Sequence, residues 1–388
     1  MMKSLGRATV IVLVPAAAGA VGLDRSGQSV EILFTEGNMV ELTLGRVLPD
    51  ASGTDTVLFG GSSTGNVLEN FNQATLAVKY EFDERFSAAL ILEQPYGIDT
   101  SYPSGADGSI ALGGTEAVVD SDSVTALLRY RFDDAWSVHG GVRYQRISPY
   151  VALSGAAYGP LDGYEARFDR DGDLGFVIGG AYEMPEIALR VALTYFSGTE
   201  HELSTRETLN GVSVALLPVP FGPLSETSTT DLEAPESINL DFQTGIAPET
   251  LLFGSIRYAK YGDVIVAPTF FDAVFEPTTP DSSLTDLEDG FSYTIGVGRQ
   301  FTDRLSASVA FGYDDKLEDD LVSPLAPVNG TQSFSVGAAY AVTDALEVAG
   351  GVSYIKLGDA QAETGDDARA IFDDSDAWGF GLKVGYSF

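Results

Sequence analysis

Few side chains of this sequence are suited to catalysis. The chain has no cysteine and only two histidines, His139 and His201, so thiol chemistry, cysteine-ligated metals and disulfides are excluded. A serine hydrolase needs a Ser–His pair, and neither histidine is accompanied by the G-x-S-x-G turn that presents such a serine. The sequence also has no metal-ligand constellation, phosphate-binding loop or nucleotide motif. We therefore expect no enzymatic activity, no cofactor and no metal site.

The chain is strongly acidic, with a formal net charge of −34 over 388 residues. A protein with this charge repels nucleic acid rather than binding it. Acidic pairs such as Asp314-Asp315, Asp366-Asp367 and Asp373-Asp374 lie between apolar stretches of the sequence. We interpret this charge as solvated and carried by loops.

The apolar stretches alternate with the period of a β-strand, not of a helix. The last eleven residues show this most clearly, because every even position from Trp378 to Phe388 is large and apolar and every odd one is small or polar. Successive side chains of a strand point to opposite faces, so this segment has one apolar and one polar face. We predict fourteen such strands, near residues 38–48, 71–83, 85–95, 121–133, 135–147, 173–183, 186–198, 236–247, 250–261, 289–301, 304–315, 331–342, 345–357 and 376–388.

The connections between these strands alternate in length. Seven are loops of about 15 to 37 residues, and six are tight turns. The tight turns are expected at Asp83-Glu84, Asp133-Asp134, Met184-Pro185, Pro248-Glu249, Thr302-Asp303 and Thr343-Asp344. Short turns on one side and long loops on the other are typical of outer-membrane barrels. The closing strand could alternatively belong to a soluble β-sandwich, but the connections of a sandwich are not expected to alternate in length.

The start of the sequence indicates export. Lys3 and Arg7 precede an apolar run that is too short to span a bilayer, and small residues follow at Ala18-Gly19-Ala20. We therefore predict a signal peptide over residues 1–20. A membrane protein without a spanning helix must be a closed barrel, so the expected fold is an all-β, transmembrane antiparallel barrel of about 14 strands over 38–388. Its expected location is the bacterial outer membrane.

Several motifs resemble one family of such barrels. The stretch 21–29, with the pair Gln28-Ser29, looks like that family's mature N-terminus, and Gln94-Pro95-Tyr96-Gly97 resembles its Pro-aromatic-Gly sequence at the end of the third strand. The last hundred residues match best. On these residues the chain resembles the FadL-type transporters of long-chain fatty acids and other hydrophobic compounds.

The resemblance implies how such a protein works. Residues 21–37 would form a hatch in the lumen, with Gln28 and Ser29 as its recognisable residues. Cargo would be captured by the outer loops and would leave sideways into the membrane near Pro95, Tyr96 and Gly97. Closing strands of this type also resemble those whose terminal aromatic, here Phe388, is read by the barrel assembly machinery. The hatch is shorter than is usual in the family, so the lumen is either more open or filled by inward-dipping loops.

Some candidate contacts follow from the residues themselves. Proline cannot donate a ladder hydrogen bond, so Pro95 either permits a local opening or simply ends its strand. Two outer loops, 199–235 and 262–288, are strongly apolar, and they either form a groove for cargo or pack on each other. For a carboxylate we predict lumen-facing Arg143 and Arg257, because a guanidinium pairs bidentately with a carboxylate. The candidate apolar contacts are Leu216, Leu217, Phe221, Phe270 and Phe271.

The preferred function is passive uptake of long-chain fatty acids or other hydrophobic compounds. The expected partners are a hydrophobic small molecule and outer-membrane lipid, and we expect a monomer. The alternative is a diffusion porin for polar solutes, which would conduct ions in planar bilayers without binding acyl ligands.

Overall fold

The protein forms a closed β-barrel. The computed structural model describes residues 23–105, 108–217, 224–275, 282–317 and 319–388. The barrel strands, numbered β1 to β14 in chain order, are Met39–Asp50, Phe71–Glu81, Phe86–Glu93, Glu116–Arg131, Trp136–Leu153, Asp171–Met184, Leu189–Phe196, Ser237–Ala247, Thr250–Ala259, Gly290–Gln300, Leu305–Asp314, Thr331–Ala341, Leu346–Leu357 and Asp376–Ser387. Each strand pairs antiparallel with the next, and β14 pairs with β1 from Met39 opposite Ser387 to Asp50 opposite Asp376. The predicted fourteen-stranded barrel is therefore confirmed.

The outer face of the barrel is apolar. In β14 the even side chains, including Trp378, Phe380 and Leu382, are exposed. The odd side chain Lys383 points inward and binds Glu41 of β1 at 2.9 Å. The same alternation in the other strands produces a continuous apolar surface that suits lipid. Within the described residues, no helix is long and apolar enough to cross a membrane.

Four short turns use one hydrogen-bonding device. An Asp or Thr side chain accepts the backbone N–H groups of the residues two and three positions further on, as Asp83 Oδ1 does from Arg85 at 2.8 Å and Phe86 at 2.9 Å. Asp133, Thr302 and Thr343 do the same. These bonds lower the pKa of Asp83 and Asp133, because they stabilise the carboxylate. Exposed aromatic residues flank the turns as an interfacial girdle, namely Phe82, Phe86, Phe132, Trp136 and Phe301.

The turn after β6 is longer than predicted. A strand was expected from residue 186, but Pro185–Ile187 forms a 3₁₀ turn and β7 begins only at Leu189. Proline suits the first position of a helical turn because its φ is fixed. Ala188 then adopts a left-handed conformation with φ 52° before the chain can enter β7.

The long loops carry further structure at the outer end. The third strand resumes as Gly97–Ser101, and four strands extend the wall, at Tyr164–Phe168, Thr199–Leu209, Val212–Ser213 and Ser228–Ala234. A separate small sheet contains Ser52–Asp55, Ser63–Asn66, Leu321–Val322, Ala360–Glu363 and Ala368–Phe372. The helical pieces are α1 (Thr269–Phe275) and 3₁₀ turns at Glu31–Phe34, Val57–Phe59, Ala156–Leu161, Val214–Leu216 and Tyr261–Asp263. His201, expected at the start of a loop, is instead buried within one of the extending strands.

Candidate functional site

Residues 23–37, here called the N-terminal segment, run through the lumen. Inward side chains from opposite parts of the wall bind the backbone of this segment. Lys79 of β2 donates to Thr35 O at 2.5 Å, Arg129 of β4 to Leu33 O at 3.1 Å, and Asn239 of β8 to Gly27 O at 2.8 Å. The predicted signal peptide and residues 21–22 lie outside the described residues. Residues 27, 33 and 35 are thus bound through their backbone carbonyls to inward-facing side chains of the wall.

A buried ion pair fixes the start of the N-terminal segment. Arg257 Nε of β9 donates to Asp24 Oδ2 at 2.6 Å, and the two side chains are only 8% and 11% exposed. The same guanidinium donates through Nη1 to Ser237 at 2.8 Å and Asn239 at 2.7 Å. Arg257, predicted as a ligand for a carboxylate, is thus already bound to a carboxylate of the protein.

The second predicted arginine is also engaged by the N-terminal segment. Arg143 is fully buried and donates to Gln28 Oε1 at 2.6 Å and to Ser197 O at 2.8 Å. Gln28 Nε2 in turn donates to the hydroxyl of Tyr96 at 2.8 Å. Gln28 and Tyr96, both singled out in the sequence, therefore meet across the lumen, while Ser29 Oγ accepts a local bond from the Glu31 N–H at 3.2 Å.

The barrel wall contains a gap between β2 and the third strand. Regular pairing between β2 and β3 ends at Leu76 opposite Leu92. Within the described residues, no backbone hydrogen bond connects residues 71–74 with residues 94–98, although Gln94 Oε1 accepts from the Ala74 N–H at 3.2 Å. Pairing resumes further out, where Leu68 bridges Thr100.

The gap begins where Pro95 interrupts the third strand. Pairing with β2 stops at Leu92, and Pro95, three residues further on, has no N–H with which to resume it. The third strand ends at Glu93 and resumes at Gly97, so Pro95 lies within an interruption of the strand and not at its outer end.

The N-terminal segment bonds to the inner edge of this gap. The Arg25 N–H donates to Pro95 O and the Gly97 N–H donates to Leu23 O, both at 2.8 Å. From the other side, Gln73 Nε2 of β2 donates to Arg25 O at 2.5 Å. The Arg25 guanidinium lies over the ring of Phe71 at 4.4 Å. Arg25 therefore bridges the two strands that the gap separates.

A cavity of about 100 Å³ adjoins the gap on the lumen side. Its apolar lining comes from strand ends and outer loops, namely Val47, Leu68, Phe71, Ile98, Leu287, Leu317, Val322, Val328, Ile355 and Leu357. Its charged lining consists of Arg25 and the carboxylates Asp24, Glu69, Asp99, Asp286 and Glu288. Arg25 and Gly97 belong both to the cavity lining and to the edge of the gap, so the two features adjoin.

The two apolar outer loops pack on each other. Phe270 and Phe271 are buried beside Tyr164, with ring centroids 6.0 Å apart in each pair. Leu217 packs against the same cluster, whereas Leu216 is 77% exposed. Phe221 lies outside the described residues. The structure thus places Leu217, Phe270 and Phe271 in a packed cap, apart from Arg143 and Arg257.

A buried carboxylate holds this cap together. Glu207 accepts the Tyr164 hydroxyl at 2.8 Å and the backbone N–H groups of Phe270 at 3.0 Å and Phe271 at 3.2 Å. Burial and the nearby Glu207 carboxylate raise the pKa of Tyr164 well above its ordinary value. Glu207 therefore connects three outer segments of the cap through hydrogen bonds.

Replacing Glu207 with alanine should loosen the cap. The change removes the carboxylate that accepts from the Tyr164 hydroxyl and from two backbone N–H groups, and the loss of a hydrogen bond to a charged group costs about 1.5–3 kcal/mol. We expect faster protease cleavage between residues 199 and 275, with the barrel itself intact. Glu202→Ala, on the same strand but exposed, is the matched control. Equal cleavage rates in the two variants would contradict the role of Glu207.

Sequence reasoning did not identify Asp24 and Arg25. Both lie in a non-repetitive segment, and their partners are distant in sequence, with Asp24 and Arg257 separated by 233 positions. Their only signal was two adjacent charges in a segment expected in the lumen. Among the described residues, no group of three or more Asp, Glu or His side chains is arranged to hold a metal ion.

The fold is shared with solved outer-membrane transporters. A Pseudomonas aeruginosa FadL homologue matches with a TM-score of 0.73 and 15% identity over 96% of each chain. The toluene transporter TodX of Pseudomonas putida matches at 0.61 and 12%, covering 98% of this chain and all of that one. The toluene transporter TbuX of Ralstonia pickettii also matches at 0.61 and 12%, over 97% and 100% of the two chains. At sequence identities this low, the structural matches establish a common fold alone.

The sequence comparison establishes the family. No match is found among curated proteins. Residues 33–388 match the family described as outer membrane protein transport protein (OMPP1/FadL/TodX). This range includes the whole barrel, and the resemblance drawn from the sequence motifs is confirmed. The chain therefore belongs to the OMPP1/FadL/TodX family, whose members are outer-membrane β-barrel transporters of hydrophobic compounds.

Proposed function

We propose that this protein mediates passive uptake of long-chain fatty acids or other hydrophobic compounds, with lateral release near the third strand. The observation that carries this proposal is the largely apolar cavity of about 100 Å³ that adjoins a gap in the wall. Cargo that enters between the outer loops would reach the cavity and then the gap. It would leave into lipid without crossing the polar lumen.

The N-terminal segment acts as the hatch in this proposal. Lys79, Arg129 and Asn239 hold its backbone inside the barrel. Arg25 lies across the inner edge of the gap. Release then requires only a local movement at residues 23–25. For a fatty acid, Arg143 and Arg257 remain the proposed partners of the carboxylate, and Gln28 and Asp24 would first have to leave them.

A diffusion porin for polar solutes is the alternative. That function needs a continuous aqueous lumen, whereas in the preferred proposal the N-terminal segment acts as a hatch there. The exposed terminal Phe388, whose N–H bonds to Asn38 O at 3.1 Å, is the proposed signal for barrel assembly. The barrel closes within one chain, so we propose a monomer surrounded by outer-membrane lipid.

Uptake by whole cells tests the proposed function. The protein is expressed in a bacterium whose lipopolysaccharide leaflet slows the entry of apolar solutes. The strain lacks other transporters of this type, so any faster uptake is due to the expressed protein. We expect several-fold faster uptake of a labelled fatty acid or aromatic hydrocarbon, with no increase in the uptake of a small sugar. The sugar is the control for a diffusion porin. Faster sugar entry without faster hydrocarbon entry would favour the alternative.

A further inference from the structure

Arg25 is an arginine with unused hydrogen-bonding capacity. Its side chain is only 8% exposed, and within the described part of the chain its guanidinium forms no hydrogen bond or ion pair. Its guanidinium lies over the face of Phe71, and the carboxylates of Asp120 and Asp99 act on it electrostatically without forming an ion pair. A guanidinium carries five N–H donors, and that of Arg25 lines the cavity described above. The group is therefore suited to receive an oxygen atom from a ligand.

The position of this guanidinium is fixed. The backbone N–H and C=O of Arg25 are bound to Pro95 and Gln73. The side chain packs directly on Gly97, where an added Cβ would lie 2.3 Å from Arg25 Cζ. Glycine at this position therefore makes room for the guanidinium, which lines the cavity.

The remaining lining suits a compact apolar group. The cavity volume of about 100 Å³ is of the same order as the roughly 150 Å³ apolar cavity that holds one benzene molecule. Side chains such as Ile98, Leu287 and Val328 supply the apolar walls. A single ring or a short branched alkyl group therefore fits, with its polar atom directed at Arg25.

The charges around the cavity disfavour an anion. Glu69, Asp99, Asp286 and Glu288 line it with Arg25, and Asp24 is neutralised by Arg257. Burial, followed by the repulsion of nearby acidic residues, raises the pKa of Asp286. A carboxylate would meet this negative field, whereas an uncharged oxygen would still accept a hydrogen bond from Arg25.

We propose that Arg25 is a recognition residue for cargo, and that the cavity binds uncharged, ring-sized apolar molecules carrying a carbonyl or hydroxyl oxygen. This inference rests on the proposed function and narrows its substrate class. It assigns to the N-terminal segment a part in selecting cargo, in addition to closing the gap. It also predicts that carboxylates bind the cavity less well than their neutral counterparts.

Three aromatic probes of similar size test the inference. Binding of acetophenone, ethylbenzene and benzoate to the full-length purified protein in a non-ionic detergent is measured by titration calorimetry. Acetophenone is expected to bind tightest and benzoate weakest. Arg25→Met should weaken acetophenone binding by about tenfold, the value of one hydrogen bond from a charged donor, and leave ethylbenzene binding unchanged. Arg85→Met, in an exposed turn at the opposite end, is the matched control.

A second variant, Gly97→Ala, keeps the positive charge of Arg25 but changes its position. In Gly97→Ala the new Cβ displaces the guanidinium of Arg25, so acetophenone should again lose its advantage over ethylbenzene. Tightest binding of benzoate, or an unchanged preference for acetophenone in both variants, would overturn the role of Arg25 while leaving transport of hydrophobic compounds intact. Failure of the cell uptake assay would instead count against the proposed function.

Discussion

Replacing Asp24 with alanine is expected to release the N-terminal segment and to turn a poorly conducting barrel into an ion channel. The change leaves the Arg257 guanidinium buried without its carboxylate, and breaking a buried pair in this way costs about 3–5 kcal/mol. A loss of this size shifts the docking equilibrium more than about a hundredfold. Planar-bilayer recordings should show steady conductance, and trypsin should cleave after Arg25.

A second substitution separates the loss of the ion pair from the loss of the aspartate itself. In Asp24→Ala with Arg257→Met the buried charge of Arg257 is removed together with its partner, so docking should recover in part. The other contacts of the segment, including Gln28 with Arg143 and Asn239 with Gly27, are unchanged in both variants. Absence of conductance and full protection of Arg25 in the single variant would show that the pair does not hold the segment.

The barrel was predictable because its pattern is local. Each strand faces lipid on one side and the lumen on the other, so apolar and polar residues alternate within every segment. This alternation can be recognised without knowing which strands are neighbours. All fourteen predicted segments coincide with barrel strands. The boundary that failed, at Pro185, is a turn whose length depends on the backbone conformation of Ala188.

The site was less predictable because its contacts are non-local. The lumen-facing position of Arg143 and Arg257 follows from alternation, but their partners come from a coil that has no periodicity. The sequence marked the outer loops as apolar, and their packing into a cap is decided by the buried carboxylate of Glu207. The polarity of single residues therefore identified the apolar outer loops. Which residues contact one another inside the barrel depends on long-range contacts that the sequence pattern does not contain.

Closing the gap between β2 and the third strand should abolish most uptake of hydrophobic compounds. The chain has no cysteine, so introduced thiols are unique. Ala74→Cys with Gln94→Cys places two thiols on the outer side of the gap, where the Ala74 N–H bonds to the side chain of Gln94. A short thiol-to-thiol crosslinker would then join the strands and block a sideways exit. Cells carrying the crosslinked variant should take up labelled cargo at a rate near that of cells without the protein.

A pair just below the gap provides the matched control. Leu76 and Leu92 lie directly opposite each other on the same two strands, where pairing is regular. Crosslinking Leu76→Cys to Leu92→Cys joins strands that are already bonded, so uptake should be unchanged. If both crosslinked proteins transport at the full rate, cargo must leave through the lumen, and the N-terminal segment would have to move out of the barrel for each passage. Loss of uptake at 74 and 94 alone would instead assign the exit to the wall, because only there does Pro95 leave the ladder open to lipid.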